Sequence, residues 1–182
     1  MIEVERKFRL SQEKKDQVFT YLENKSGRAS ILKQSDTIFL FNTNSFSDFK
    51  YGDPLIRIRL VDGVANLTFK RRVGTEGNMI EHELTVDSAS KAEGFVREIG
   101  FLPTVIIEKE RREYKIKGVT CCLDEVKNVG SFLEIEIICD AQSAVQGAEE
   151  KIMKLAIEMG LSSADLEAKK YDELVAESAS AL

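Results

Sequence analysis

The chain has 182 residues, a formal net charge of -5 and 31% charged residues. This length suits one domain with a sizeable core. The acidic balance disfavours a protein that grips nucleic acid over its whole surface, because such binding depends on many lysine and arginine contacts to phosphate. Three cysteines, two of them adjacent, provide neither a disulfide framework nor a zinc-site spacing.

The N-terminus carries charges within its first residues and has no apolar signal core. No stretch approaches the roughly 20 apolar residues of a membrane helix. We therefore expect a cytoplasmic protein with neither nucleic-acid nor membrane partners.

Hydrophobic periodicity predicts about eight strands with helices interspersed. In chain order, we predict a strand at 2–10, a helix at 11–25, strands at 36–41, 55–61, 65–72 and 79–86, a helix at 88–100, strands at 105–117, 118–126 and 131–139, and a helix at about 141–159. Asp62-Gly63 is a hairpin signal between two of these strands. The last of these helices has enough apolar surface for the core or for a dimer contact, which leaves a homodimer open.

Helices do not separate every strand, so the pattern disagrees with a parallel α/β sheet. Antiparallel hairpins predominate, and they favour an α+β protein with a closed or nearly closed β-barrel and helices packed outside. We predict a single domain over residues 1–176, with residues 177–182 as a frayed tail.

The strands repeatedly place two ionisable residues of the same sign on one face. These pairs are Arg57 and Arg59, Lys70 and Arg72, Glu81 and Glu83, Lys109 and Arg111, and Glu134 and Glu136. One interpretation is an antiparallel sheet whose charged face lies in water. The other is a charged lumen, in which carboxylates bind Mg²⁺ or Mn²⁺ and cationic side chains bind phosphate oxygens. A solvated face would mix Ser, Thr, Asn and Gln with its charges, so their absence from these pairs favours the second interpretation. A charged interior in turn requires a charged ligand.

Residues 3–7 (EVERK) match the Glu-x-Glu-x-Lys signature of the CYTH superfamily, the triphosphate tunnel metalloenzymes, and the chain resembles that superfamily over nearly its whole length. The other matching segments are DTIF at 36–39, LIRIR at 55–59, LTFK at 67–70, EHE at 81–83, KER at 109–111, LDEV at 123–126, GSFLEIE at 130–136 and KYDEL at 170–174. The resemblance implies an eight-stranded antiparallel tunnel with a charged lumen.

The resemblance also implies roles for individual side chains. The implied metal ligands are Glu3, Glu5, Asp124, Glu134 and Glu136, with Glu81 and Glu83 joining the acidic wall. The implied triphosphate-binding residues are Lys7, Arg57, Arg59, Lys70, Lys109 and Arg111, with Lys170 as a further cation. The residues implied to be catalytic are Glu3, Glu5, Lys7, Lys109 and Arg111.

The activity implied first is that of a class IV adenylyl cyclase, which converts ATP to cyclic AMP and pyrophosphate with Mg²⁺ or Mn²⁺. Hydrolysis of inorganic triphosphate or thiamine triphosphate by the same residues is the alternative. A non-catalytic triphosphate binder is a more remote hypothesis, because an anion sensor has little use for so many carboxylates.

Overall fold

The computed structural model describes residues 2–73 and 78–180 of the chain. These residues form eight strands and four α-helices, with short 3-10 turns at Phe46–Asp48, Gln142–Ala144 and Ser163–Asp165. In chain order the elements are β1 (Ile2–Leu10), α1 (Gln12–Ser26), β2 (Ser30–Phe41), β3 (Pro54–Val61), β4 (Val64–Val73), β5 (Asn78–Val86), α2 (Ala89–Glu98), β6 (Phe101–Ile116), β7 (Val119–Val126), β8 (Gly130–Cys139), α3 (Val145–Glu158) and α4 (Tyr171–Ser180). No helix among them has the length and apolar character needed to cross a bilayer.

The strands form one antiparallel sheet in the order β1-β8-β7-β6-β2-β3-β4-β5. This confirms the α+β class and the eight antiparallel strands. The order ends at β1 on one side and at β5 on the other, so closure of the sheet into a barrel is not confirmed. A closed tunnel with a charged lumen stays a prediction.

The described residues divide into two compact units. The first unit comprises residues 2–32 and 110–169, and the second comprises the described parts of 33–109 and 170–180. The single domain over 1–176 therefore stays a prediction. Helix α4 continues to Ser180, so the tail that we expected to fray from residue 177 is helical as far as that residue. Residues 181 and 182 lie outside the described residues.

The core of the first unit lies between the sheet and two helices, α1 and α3, which pack on β1 and β8. Phe8, Leu133, Ile135 and Ile152 are fully buried there. Arg6 interrupts the apolar alternation of β1, and its guanidinium forms an ion pair with Glu149 on α3. A long basic side chain can lie along an apolar face in this way and keep its charge at the edge.

The core of the second unit lies under α2, which packs on β3 and β4. Phe39, Ile56 and Val96 are among its buried side chains. The predicted hairpin between β3 and β4 is confirmed, because Asp62 and Gly63 both have positive φ angles, of 48° and 84°. Two successive positive φ angles are the requirement of a two-residue type I′ turn.

Three element boundaries differ from the prediction by more than two residues. Strand β2 begins at Ser30 and not at residue 36, and β6 begins at Phe101 and not at residue 105. Both extensions lack clear alternation, and β6 includes a proline, so local propensity alone does not indicate a strand there. Helix α3 begins at Val145, because residues 142–144 form a 3-10 turn.

Candidate functional site

The first unit presents an acidic face on strands β1 and β8. In the register of these strands, Glu5 lies opposite Glu136 and Lys7 lies opposite Glu134. Glu3 is two residues before Glu5 and shares its face, because side chains alternate along a strand. Opposite residues of an antiparallel pair point to the same side of the sheet. The acidic face is therefore the side that does not pack against α1 and α3.

Two carboxylates of this unit bind the guanidinium of Arg111. Nε of Arg111 donates to Oδ1 of Asp124 at 2.8 Å, and Nη2 donates to Oδ2 at 2.6 Å. Nη2 also donates to the Glu134 carboxylate, whose other oxygen lies 3.9 Å from Nζ of Lys7. The Asp124 side chain is completely buried. Burial lowers the pKa of Arg111, but the hydrogen bonds and charge of Asp124 outweigh it and the net direction is upward.

Glu5 and Glu136 are less well neutralised. Burial by surrounding protein atoms and then the charge of Glu134 raise the pKa of Glu5 to about 7, although Lys7 opposes the shift. Water nevertheless reaches Glu5, because the residue as a whole is exposed. Burial and then the charge of Glu3 raise the pKa of Glu136. The face therefore has an excess of negative charge.

The donor set of the acidic face consists of carboxylate oxygens, which suit a hard divalent cation. In the described parts of the chain, no group of three Asp, Glu, His or Cys residues is already arranged to hold a metal ion. Both oxygens of Asp124 accept from Arg111, so this predicted ligand is engaged by an internal cation. The Mg²⁺ or Mn²⁺ site stays a prediction that the donor chemistry fits.

The second unit presents a basic face on strands β2 to β5. Asp36 on β2 lies opposite Arg59 on β3. Arg57 lies opposite Thr68 on β4, which in turn lies opposite Glu83 on β5. These cross-strand rows bring polar side chains from four strands to the same side of the sheet.

Arg59 and Asp36 form a bidentate ion pair. Nε of Arg59 lies 2.8 Å from Oδ1 of Asp36, and Nη2 lies 2.6 Å from Oδ2. The Asp36 side chain is 5% exposed and that of Arg59 is 24% exposed. The second unit therefore contains the same two-bond arrangement that joins Arg111 to Asp124 in the first.

Arg57 has weaker partners. Its Nη2 donates to Oγ1 of Thr68 at 3.2 Å, and this hydroxyl donates to Oε2 of Glu83 at 3.0 Å. The Nε group of Arg57 is buried and has no hydrogen-bond partner among the described residues. Burial and then the charge of Arg59 lower the pKa of Arg57. A buried donor without an acceptor is costly, and the oxygen of a bound anion would satisfy it.

Glu81 and Glu83, which we predicted as metal ligands, are partners of cations in this unit. Oε1 of Glu81 lies 2.9 Å from Nζ of Lys70, and Oε2 of Glu83 lies 3.5 Å from Nη2 of Arg57. Both glutamates belong to the second unit and not to the one that carries the acidic face. Their role as metal ligands stays a prediction.

Two further predicted cations belong to the second unit. Lys109 is buried, and its Nζ lies 4.7 Å from the ring centroid of Tyr171, a distance at which the cation and the ring attract each other. Lys170 comes directly before helix α4. Burial of its amino group and then the charge of Arg72 lower the pKa of Lys170.

The structure thus separates the predicted site residues into two sets. The first unit holds Glu3, Glu5, Lys7, Arg111, Asp124, Glu134 and Glu136. The second unit holds Arg57, Arg59, Lys70, Glu81, Glu83, Lys109 and Lys170. Their assignments to metal, phosphate and catalysis stay predictions.

Sequence reasoning missed four side chains that support these sets. Asp36 and Thr68 are buried partners of the two arginines, and Tyr171 lies against Lys109. Glu113 contributes to the raised pKa of Glu136. The last of these could have been found, because it continues the two-residue period of Lys109 and Arg111 along β6.

Comparison with known proteins gives consistent matches. The family model of the CYTH domain matches residues 1–171. A protein of Methanocaldococcus jannaschii that carries adenylate cyclase as a provisional name is 28% identical over 179 residues, which cover 96% of this chain and 98% of that protein. The adenylate cyclase CyaB of Aeromonas hydrophila is 29% identical over 105 residues, and the match spans 58% of this chain and 54% of that relative. A solved structure of a Pyrococcus horikoshii protein is 27% identical, covers 97% of this chain and 99% of its own, and superposes with a TM-score of 0.78.

Proposed function

The chain belongs to the CYTH domain family, and we propose that it is a divalent-metal-dependent enzyme that converts ATP to cyclic AMP and pyrophosphate. The two relatives that have adenylate cyclase in their names support this choice of reaction. The charged sets of the two units support a triphosphate as the substrate.

The observation that carries the proposal is the unsatisfied Nε donor of Arg57. This buried donor stands two residues from Arg59, on a face that also carries Lys70. Closely spaced cations that include a donor without an acceptor are suited to binding the oxygens of a polyphosphate. We assign Arg57, Arg59, Lys70 and Lys109 to phosphate binding.

The carboxylates of the first unit are assigned to the metal. Glu3, Glu5, Glu134 and Glu136 would hold Mg²⁺ or Mn²⁺ through carboxylate oxygens. A cation there would offset the burial and the repulsion between carboxylates that raise the pKa of Glu5 and of Glu136. When bound, such a metal neutralises charge on phosphate oxygens and lowers the pKa of a nearby hydroxyl. Asp124 orients Arg111 in this assignment, because both of its oxygens already accept from that guanidinium.

In the proposed reaction, the ribose 3′-oxygen of ATP forms a bond to the α-phosphorus while the bond from that phosphorus to the bridging oxygen breaks. Pyrophosphate leaves with the electron pair of the broken bond, and cationic side chains stabilise its negative charge. The proton of the 3′-hydroxyl, whose pKa a bound metal would lower, passes to solvent water.

The test is product analysis with purified protein. ATP and inorganic tripolyphosphate are incubated separately with Mg²⁺, with Mn²⁺ and with chelator, and Glu134→Ala is assayed in parallel. We expect metal-dependent formation of cyclic AMP and pyrophosphate from ATP, and loss of that activity in the variant.

Two other results would contradict the proposal at different levels. Metal-dependent orthophosphate without cyclic AMP would replace cyclisation by hydrolysis and keep the assigned residues. Tight, metal-independent binding of tripolyphosphate without turnover of ATP, tripolyphosphate or thiamine triphosphate would favour a binding protein over an enzyme.

A further inference from the structure

Asp36 is a buried carboxylate with no assigned function, and it lies on β2, at one side of the basic face. Both of its oxygens bind the Nε and Nη2 edge of Arg59, at 2.8 and 2.6 Å. The two residues are directly opposite each other on β2 and β3. Their bond is therefore set by the register of two central strands and not by a mobile loop.

Burial of the Asp36–Arg59 ion pair is unfavourable in free energy compared with burial of apolar side chains. Removing a carboxylate and a guanidinium from water is unfavourable, and apolar side chains of similar volume often stabilise such positions as well or better. A buried ion pair is therefore weak evidence of a role in stability. It is better understood as a device that fixes the direction of one group.

Arg59 is the group whose direction needs fixing. Its neighbour on the same face is Arg57, and each guanidinium repels the other, as the downward contribution of Arg59 to the pKa of Arg57 reflects. The charge of Asp36 acts in the opposite direction on Arg57. Without this carboxylate, two like charges on alternate residues of β3 would move apart. With it, the fork of Arg59 is held by one edge, and Nη1 lies on the side away from Asp36.

We propose that Asp36 is a positioning residue, which holds the Arg59 guanidinium in the orientation that binds a phosphate oxygen of the triphosphate. The inference rests on the proposed function, because it takes the basic face as the place where the phosphates bind. Asp36 itself contacts no substrate in this scheme. It acts only through Arg59, and a double-mutant cycle tests that requirement.

The experiment measures the affinity for inorganic tripolyphosphate by calorimetry, with chelator and with Mg²⁺. The cycle consists of the wild type, Asp36→Asn, Arg59→Gln and the double variant. Glu93→Gln is the matched control, since it removes a carboxylate from an exposed arginine pair on α2 in the same unit. Circular dichroism and thermal unfolding check that each variant is folded.

We expect Asp36→Asn to weaken binding about tenfold, at the low end of the effect of removing a group that orients a ligand-binding side chain. The double variant should bind no more weakly than Arg59→Gln, and Glu93→Gln should bind like the wild type. If Asp36→Asn does not fold, the inference can still be overturned, because weaker tripolyphosphate binding by the double variant than by Arg59→Gln would show that Asp36 acts independently of Arg59.

Two results would overturn the inference. One is an Asp36→Asn protein that binds tripolyphosphate as tightly as the wild type. The other is an equal loss on removing Asp36 whether or not Arg59 is present, which would mean that Asp36 acts independently of it. Failure of the wild type itself to bind tripolyphosphate in either condition would instead reject the proposed function.

Discussion

The two units share one arrangement of side chains and differ in the charge that surrounds it. Each contains one buried aspartate joined to one arginine by two hydrogen bonds, Asp124 with Arg111 in the first unit and Asp36 with Arg59 in the second. The side chains around these two pairs differ. Carboxylates predominate around the first pair, and cations predominate around the second.

The comparison distinguishes two contributions of the charged residues, to the geometry of the site and to its attraction for a ligand. The aspartate–arginine pair fixes geometry, because two parallel hydrogen bonds leave a guanidinium little freedom. In the proposed function, the surplus charge decides what is attracted, a divalent cation in the first unit and phosphate oxygens in the second. Each prediction below changes one contribution and leaves the other in place.

The largest effect should follow from removing the arginine of the first pair. Arg111→Met removes the guanidinium that forms two hydrogen bonds to the fully buried Asp124, and it leaves Glu134 near Asp124 as a like charge. We expect a loss of about 3–5 kcal/mol in the free energy of unfolding, the range for breaking a buried ion pair from one side. Urea unfolding measures it.

Arg97→Met is the control for this variant, because Arg97 forms an exposed pair with Glu93 on α2. Such surface pairs contribute about 0–1 kcal/mol. A loss below about 1 kcal/mol for Arg111→Met as well would show that the buried pair is not what fixes this part of the first unit.

The next effect concerns the surplus charge of the second unit. Arg57→Met removes a guanidinium whose Nε has no partner among the described residues. Hydrogen bonds to charged groups contribute about 1.5–3 kcal/mol, so the affinity for tripolyphosphate should fall by roughly tenfold to a hundredfold. The affinity for Mn²⁺ without tripolyphosphate should not change, because the carboxylates of the acidic face are intact. Equal losses for both ligands would contradict the division of roles.

A smaller effect should come from the hydroxyl that connects Arg57 to Glu83. Thr68 is fully buried, and its Oγ1 accepts from the arginine and donates to the glutamate. Thr68→Val keeps the shape and removes both bonds, so we expect a loss of about 1–2 kcal/mol in the free energy of unfolding. Thr85→Val, at an exposed position on β5, is the control. An equal, small change in both proteins would mean that the connection does not stabilise Arg57.

Much of this arrangement could be predicted from the alternation of apolar and charged residues along single strands. Residues 2–10 and 131–139 bury one face in the core, so a period of two is enough to predict their strands and to place Glu5 and Glu136 on the other face. The hairpin at Asp62-Gly63 was predicted because its backbone conformation needs these residue types.

The partners of the two arginines differ in how far they could be predicted. Asp124 meets Arg111 across the short turn at 117–118 that joins β6 to β7, so the hairpin register could have predicted this pair. Asp36 meets Arg59 across β2 and β3, which the long connection 42–53 joins. The register of this second pair depends on the packing of the whole sheet, and no short pattern encodes it. Composition likewise does not show that cations on β3 and β4 pair with Glu81 and Glu83, whose role as metal ligands stays a prediction.

The last prediction concerns the pH dependence of the first unit without metal. The pKa of Glu5 is raised from 4.5 to about 7, mainly by burial and by Glu134, so the folded protein binds a proton more tightly than the unfolded chain does. A raised folded-state pKa contributes stability that is fully present below the unfolded value and is lost as the pH rises through the folded value. The pKa of Glu136 is shifted in the same direction.

In the presence of chelator, the free energy of unfolding should therefore decrease between about pH 5 and pH 8. Glu5→Gln should flatten this decrease, and Glu93→Gln on α2 should leave it unchanged. If Glu5→Gln has the same slope as the wild type, the acidic face does not concentrate negative charge at this carboxyl, and the contrast with the basic face of the second unit loses its electrostatic basis.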